Sequence, residues 1–253
     1  MSPSPEAYWA SVPWGAGVAR VALDANGLAA LDKPEGVLSH PNGPRDLGRS
    51  LVRAPYDKEE ECFEWALPDG SAARLWLINR LDSATSGLIL AATSGPLARE
   101  IRAQFQRRRV RKVYQALVFG KPRQNTEDWR DLLDVRKQGG VIRTAAGGRG
   151  LPSESRMTLV STRDGPPRVS LVRLEPHTGR SHQLRVQCAK RGLPIVGDRT
   201  YGNFAANREF ARAGGGKRMF LHSLETSFDY EFGGRTHAFS ARAELPEGFA
   251  PAP

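Results

Sequence analysis

The chain has 253 residues, 40% of them hydrophobic and 25% charged, enough for a sizeable core and ordinary for a globular protein. Its formal net charge of +10 is not ordinary and points to a polyanionic partner, either nucleic acid or an anionic membrane surface. No apolar stretch approaches the roughly 20 residues that span a bilayer, and residues 1–17 lack the basic start and apolar centre of a signal peptide. Two cysteines, Cys62 and Cys188, are too few for a disulfide framework. A cytoplasmic location is expected, with nucleic acid rather than membrane as the partner.

Ser2-Pro3-Ser4-Pro5 cannot sustain regular hydrogen bonding, so residues 1–17 are expected to be a flexible tail, with Trp9 and Trp14 anchoring the next segment. Residues 18–253 are expected to form a single domain. Alternation from Val18 to Leu31 around Asn26-Gly27 predicts a hairpin. It leads into Lys33-Pro34-Glu35-Gly36, a tight turn. Residues 41–70 mix Pro, Gly and charge and are expected at the surface, with a short helix over Leu47–Ala54. The apolar runs Leu75–Ile78 and Leu88–Ala92 predict buried strands, and between them lies a polar loop containing Asp82.

Gly95-Pro96 predicts a helix start, and Leu97, Ile101 and Phe105 give the helix one apolar stripe. Arg99, Arg102, Arg107, Arg108, Arg109, Arg111 and Lys112 meet only Glu100 in opposition, an imbalance that favours a phosphate-contacting surface over a merely solvated face. Val110–Phe119 alternates as a strand. Residues 120–152, including Gly139-Gly140 and Gly147-Gly148-Arg149-Gly150, read as a polar excursion with weak strands. Two strands follow around the turn Arg163–Pro166, then a helix over Ser181–Arg191 with Leu184 and Cys188 inward and Arg185 toward its polar side. Met219–Leu224, Phe228–Phe232 and Thr236–Phe239 read as strands, the last two joined by Gly233-Gly234. The expected class is α+β, a mostly antiparallel or mixed central sheet flanked by helices and loops.

Other chemistry is hard to find. Gly214-Gly215-Gly216-Lys217 lacks the spacing of a phosphate loop, and neither a dinucleotide fingerprint nor a nucleophile elbow occurs. The five histidines are scattered and gather no metal-ligand cluster. With no metal and no cofactor expected, Asp82 is the leading acid, base or nucleophile. Local sequence alone favours a plainer account, in which Asp82 starts a turn and Arg80 is its surface ion-pair partner.

Asn79-Arg80-Leu81-Asp82-Ser83-Ala84-Thr85-Ser86-Gly87-Leu88 resembles the signature loop of the RluA-type RNA pseudouridine synthases, H-R-L-D-x-x-T-S-G-L. Further matches follow in family order. Lys33-Pro34-Glu35-Gly36 resembles K-P-x-G, and Lys112–Gly120 resembles K-x-Y-x-A-x-V-x-G. Thr178–Arg185 resembles T-G-R-x-H-Q-I-R, and Gly192–Gly202 resembles G-x-P-I-x-G-D-x-x-Y-G. The resemblance implies the pseudouridine synthase catalytic fold and isomerisation of uridine in ribosomal or transfer RNA, without a cofactor. It makes Asp82 the essential carboxylate, either as nucleophile on C1′ or as base on the 2′ hydrogen, with Arg185 as its cation and Tyr114 stacked on the uracil. Arg80 fills the gap left by the flipped nucleotide. Arg180 joins the basic residues between Arg99 and Lys112 on the RNA-binding surface, while Asn79, Thr85, His182 and Gln183 support the loops. The protein is expected to act as a monomer.

Two positions depart from the family pattern. Asn79 stands where His is usual, and Gln187 stands where the helix usually carries a second His; neither can carry a proton near neutral pH, and structural roles are expected for both. The stretch before Val18 is too short for the separate N-terminal RNA-binding domain of many relatives, so RNA is expected on the catalytic domain's own basic face. The alternatives are a catalytically silent RNA-binding protein or RNA chaperone on the same fold, and a single-Asp hydrolase, which would leave the basic face unexplained.

Overall fold

The computed structural model describes residues 4–138, 141–146 and 150–249, which divide into two compact units. The first unit comprises residues up to Val110 together with Ser227–Ala243. It holds α1 (Pro5–Ser11), β1 (Ala19–Leu23), β2 (Leu28–Lys33), β3 (Tyr56–Asp57), β4 (Cys62–Ala66), β5 (Ala72–Leu77), β6 (Ser86–Ala92) and α2 (Gly95–Gln106). Strand β6 pairs antiparallel with β2 on one side, Lys33 opposite Gly87, and with β5 over Trp76↔Ala92 and Leu77↔Ala91.

Every residue of β6 is buried because successive side chains serve two different cores. Leu88, Leu90 and Ala92 pack with Leu97, Ala98 and Ile101 of α2 and with Phe228, Tyr230 and Phe239. Ile89 and Ala91 pack with Trp9, Leu51, Val52, Phe63, Leu75 and Leu77. This two-sided burial explains why the sequence shows an unbroken apolar run there.

The second core draws on segments that were expected to be peripheral. Instead of a flexible tail, residues from Pro5 onward form α1, and Trp9 is buried, its ring stacked 6.2 Å from Trp14. The 41–70 stretch supplies β4, paired with β5 so that Phe63 faces Leu75 and is fully buried. Its alternation is too brief, after the charged Lys58–Glu61, to stand out in the sequence. A 3-10 helix over Pro44–Arg49 replaces the expected helix over Leu47–Ala54, since Leu51 and Val52 are drawn into the core and extend the chain there.

The second unit comprises Arg111–Thr226 and the residues from Glu244. Strands β7 (Arg111–Phe119), β8 (Thr126–Gln138), β9 (Val141–Ala146), β10 (Leu151–Arg163) and β11 (Val169–Pro176) form an antiparallel sheet in the order β7-β11-β10-β8-β9. The helices are α3 (Gln183–Lys190) and α4 (Phe204–Arg212). The 120–152 excursion contributes two full strands, with Trp129 fully buried; Gly139-Gly140 and Gly147–Arg149 lie outside the described residues. Strand β12 (Leu221–Phe232) belongs to this unit through Thr226 and to the first unit from Ser227, where β13 (Arg235–Arg242) pairs with it through the Gly233-Gly234 turn. The expected α+β class and antiparallel character are thus observed. No described helix is long and apolar enough to cross a membrane.

The turn at Gly197 leads from this unit's core into the loop that begins at Asp198. Val196 donates its N–H to Leu117 O and accepts from Phe220 N–H, both at 2.9 Å. That close approach leaves no room at Gly197, where φ is +78° and a Cβ would lie 1.8 Å from Arg218 O. Gly197→Ala is therefore expected to lower stability by about 3 kcal/mol or more. Gly214→Ala, at φ +83° but with open space around it, should cost about 1 kcal/mol. Urea midpoints of the two variants test the ordering.

Candidate active site

In the first unit the signature loop leaves the sheet at Asn79. Ile78 N–H makes a last ladder bond to Leu90 O at 2.9 Å, and Asn79 Oδ1 then accepts the Leu90 N–H at 2.7 Å. A side-chain amide thus replaces a backbone carbonyl while the main chain turns away. Ser39 Oγ holds both polar groups of Leu81, accepting its N–H at 3.0 Å and donating to its carbonyl at 2.8 Å. Asp82 O accepts the Thr85 N–H at 3.0 Å, closing a turn that leaves Asp82 half-buried and Arg80 exposed, with Thr85 and Ser86 buried beneath.

The same loop is tied to the Lys33-Pro34-Glu35-Gly36 turn. Ser83 O accepts from Gly36 N–H at 2.7 Å and from Lys33 Nζ at 3.2 Å. Lys33 is fully buried, and its ammonium also donates to Pro34 O at 2.9 Å and Val37 O at 2.7 Å. A buried cation surrounded by carbonyls fixes the backbone beside Asp82 far more tightly than neutral hydrogen bonds would.

Of the basic residues around α2, Arg99, Arg107, Arg108 and Arg109 are exposed. Arg108 adopts φ +58° where the chain turns out of the helix. Arg102 departs from the expected surface. Its Nη2 donates to Leu77 O at 2.6 Å and Glu61 O at 3.2 Å, and its Nε lies 3.2 Å from the Glu61 carboxylate. It locks the end of β5 rather than facing solvent.

In the second unit Tyr114 is half-buried on β7, opposite Leu174 of β11. Arg111 is engaged by Glu175 at 3.1 Å and Glu225 at 3.8 Å. Lys112 is half-buried, with Nζ 3.5 Å from Thr178 O, and burial pulls its pKa down to about 8.

Arg185 is buried rather than on a polar helix face, because Gln183 through Cys188 are all buried. Its Nε and Nη2 each donate to Asp198 at 2.8 Å, in a side-on bidentate pair. The guanidinium also lies 5.1 Å from the Tyr201 ring centre. Asp198 accepts two further bonds, from Thr200 N–H at 2.8 Å and Tyr201 N–H at 3.0 Å. Burial alone would raise the Asp198 pKa; the Arg185 bonds and charge, with the backbone donors, outweigh it and hold the carboxyl below the usual range.

The surrounding loops are braced by side chains. Gln183 Oε1 accepts from Thr178 Oγ1 at 2.7 Å and Arg180 N–H at 3.0 Å, while its Nε2 donates to Glu154 O at 3.0 Å. His182, at φ +56°, places Nδ1 2.8 Å from Tyr201 Oη. Arg180 is half-buried, with Nε 3.4 Å from Pro152 O. Gln187 is fully buried, accepting from Ser155 Oγ at 2.8 Å and donating to Asp131 at 3.0 Å and Ser153 O at 3.2 Å. Asp131 in turn receives Lys190 at 2.6 Å and Arg191 at 2.9 Å. Both family departures, Asn79 and Gln187, thus sit in specific hydrogen bonds.

Lys33, Ser39, Asp198 and Tyr201 were not singled out as site residues from sequence. Lys33, Asp198 and Tyr201 all lie inside motifs that could be read there, but their roles depend on partners far away in the chain.

Asp198→Asn leaves Arg185 buried without an ionised partner and is expected to cost about 3–5 kcal/mol. The wild-type contribution is full above the ordinary Asp pKa of 3.8 and is lost as pH falls through the lower folded value. Denaturation between pH 2 and 7 should therefore show a steeper acid limb in wild type than in the variant. Lys33→Met should cost about 3 kcal/mol and speed amide exchange at Ser83–Thr85, read by mass spectrometry.

The sequence pattern of the RNA pseudouridylate synthase family matches residues 27–190. The tRNA pseudouridine synthase C of Yersinia pestis is 29% identical over 229 residues, covering 87% of this chain and 84% of that protein. The tRNA pseudouridine synthase C of Haemophilus ducreyi is 31% identical, covering 80% of this chain and 82% of that protein. The ribosomal large subunit pseudouridine synthase C of Vibrio vulnificus is 30% identical; the chain spans 59% of its length. Among solved structures, human RNA Pseudouridylate Synthase Domain Containing 1 shares the fold, with a TM-score of 0.69 over 99% of this chain and 88% of that one, at 23% identity. The family pattern extends across the β2 turn, the Asp82 loop, β7 and the helix carrying Arg185, and the chain belongs to the RNA pseudouridylate synthase family.

Proposed function

We propose that this synthase isomerises uridine in transfer or ribosomal RNA with Asp82 as its essential carboxylate. The N1–C1′ bond of the nucleotide breaks, the uracil turns, and C5 bonds to C1′; the C5 proton leaves and N1 gains one. Product and substrate have the same composition, so the reaction needs no external oxidant, reductant or group donor. Asp82 acts either as nucleophile on C1′ or as base on the 2′ hydrogen.

The observation that carries this reading is the way the Asp82 loop is held. The loop matches the family signature, and its backbone is fixed on both sides of Asp82 by Ser39 and by the buried Lys33 ammonium. A carboxylate that is half-buried on a rigid turn loses little freedom when it meets a substrate atom.

Arg185 is assigned as the cation that favours the ionised carboxylate, Tyr114 as the ring on which the uracil stacks, and Arg80 as the side chain that replaces the flipped base. These pairings rest on the family resemblance. The bidentate grip of Asp198 supports the first, because a guanidinium already fixed needs no reorganisation when charge develops. Arg99, Arg107, Arg108 and Arg109 are exposed and form the proposed phosphate-contacting surface. Arg102 is withdrawn from it because its donors are used on Leu77 and Glu61. Both RNA classes are named because the matched relatives carry both names.

Incubating the protein with total RNA from a strain lacking its gene, then mapping pseudouridine by carbodiimide labelling and primer extension, tests the reading. New sites are expected with wild type. None, in any RNA, would overturn it in favour of a silent RNA-binding protein. Asp82→Asn should lower turnover by a factor on the order of 10³ or more while RNA affinity is kept. Arg107→Glu with Arg108→Glu should weaken affinity and flatten its salt dependence by about 0.7–0.9 for each phosphate interaction removed.

A further inference from the structure

In the second unit, α4 is held rigidly but leaves one end of its surface open. Asn203 caps the helix, its Oδ1 accepting from Ala205 and Ala206 N–H at 3.1 Å each. Phe210 is buried edge-on against Phe119 at 6.2 Å and Phe220 at 5.6 Å. Gly215 closes over that ring so tightly that a Cβ would stand 2.3 Å from it. Asn207 then ties the helix to the Gly197–Asp198 turn, accepting Gly197 N–H at 2.7 Å and donating to Asp198 O at 3.1 Å. This is the turn whose carboxylate grips Arg185.

Outside this packed base, α4, the Gly197–Arg199 turn and the Gly216-Lys217 segment border a groove of about 260 Å³. Phe204, Arg199, Arg208 and Lys217 stand on its walls, and no carboxylate lines it. Phe204 is 56% exposed, the most exposed large apolar side chain among the described residues. Among those residues, no salt bridge joins Arg199, Arg208 or Lys217 to an acid.

A protein partner would call for a wider apolar surface around such an anchor. A single exposed ring amid three cations matches instead how unpaired nucleic acid is held, with a base on the aromatic face and phosphates on the basic side chains. We propose that this groove binds an unpaired stretch of the substrate RNA, one base stacking on Phe204 and the adjoining phosphates meeting Arg199, Arg208 and Lys217. The proposal rests on the RNA substrate proposed above for the Asp82 site. It adds a binding subsite coupled through Asn207 to the Asp198–Arg185 pair, and it gives the Gly214–Lys217 run a role that is not that of a phosphate loop.

The test measures binding of a labelled 12-nucleotide oligouridylate and of a 12-base-pair RNA duplex by fluorescence anisotropy between about 50 and 200 mM salt, using the full chain. Wild type should prefer the single strand. Phe204→Ala should weaken that binding about tenfold, and Phe204→Trp should restore it. Arg208→Gln with Lys217→Gln should lower the magnitude of the salt slope by about 0.7 for each phosphate interaction removed. Unchanged affinity in Phe204→Ala, unchanged slope in the double variant, or a preference for duplex would overturn the proposal. Because the double variant changes only exposed charge, it decides the matter even where Phe204→Ala folds poorly. Pseudouridine mapping with wild type runs in parallel. Groove variants that bind like an active wild type defeat the subsite alone; an inactive wild type that still loses binding in these variants defeats the function alone.

Discussion

A cation removed from water must be surrounded by acceptors, and each unit of this protein uses that requirement to fix a loop. In the first unit the acceptors are carbonyls: Lys33 gathers Pro34, Val37 and Ser83, so the turn between β2 and the rest of the chain is locked to the loop carrying Asp82. In the second unit the acceptor is a carboxylate, and Asp198 grips Arg185 while two backbone N–H groups orient the carboxylate itself. Such buried polar sites are costly when incomplete. Their completeness makes a displaced loop energetically expensive.

The sheet supplies the rigid base for these loops. Strand β6 is enclosed on both faces, and its first residues follow directly from the Asp82 turn. Asn79 lets the chain leave β5 without orphaning the Leu90 N–H, where a His at the same position would have to present a ring nitrogen. Gln187 solves a similar problem inside the second unit, with one side chain both accepting from Ser155 and donating to Asp131 and Ser153. An amide carries a donor and an acceptor at once and is indifferent to pH, so it can complete these networks without any proton exchange.

Long, strongly patterned features were legible in the sequence. The hairpin at Asn26-Gly27, the α2 stripe and the paired strands β10 and β11 depend on local periodicity and turn chemistry, and they occur close to where that chemistry places them. Features that could not be read there depend on distant partners. Trp9 is buried because α1 joins a core shared with residues of β4, β5 and β6, not because of its own neighbours, and Phe63 lies in a strand of five residues whose identity comes from pairing with β5. Arg185 looked like a surface charge because nothing near it in the chain reveals Asp198, thirteen positions on. The motifs mark segments of the chain; the ion pair that joins Arg185 to Asp198 emerges only when those segments are folded together.

Charge shows the same divide most clearly. Along the chain, the basic residues between Arg99 and Lys112 look like one continuous phosphate-binding run. In the structure Arg102 secures β5, Arg111 faces Glu175 and Glu225, and Lys112 is half-buried with a lowered pKa. Arg111 stays exposed but is engaged by those carboxylates, so among the described residues the exposed members of the run that no acid holds are Arg99 and Arg107–Arg109. Conversely, Arg199, Arg208 and Lys217 are too widely spaced to register as a cluster, yet α4 and its flanking turns bring them around one groove. The linear density of arginine therefore overstates one basic surface and hides another. Exposed basic residues gather in two places, one in each unit, rather than in the single run that the sequence displays.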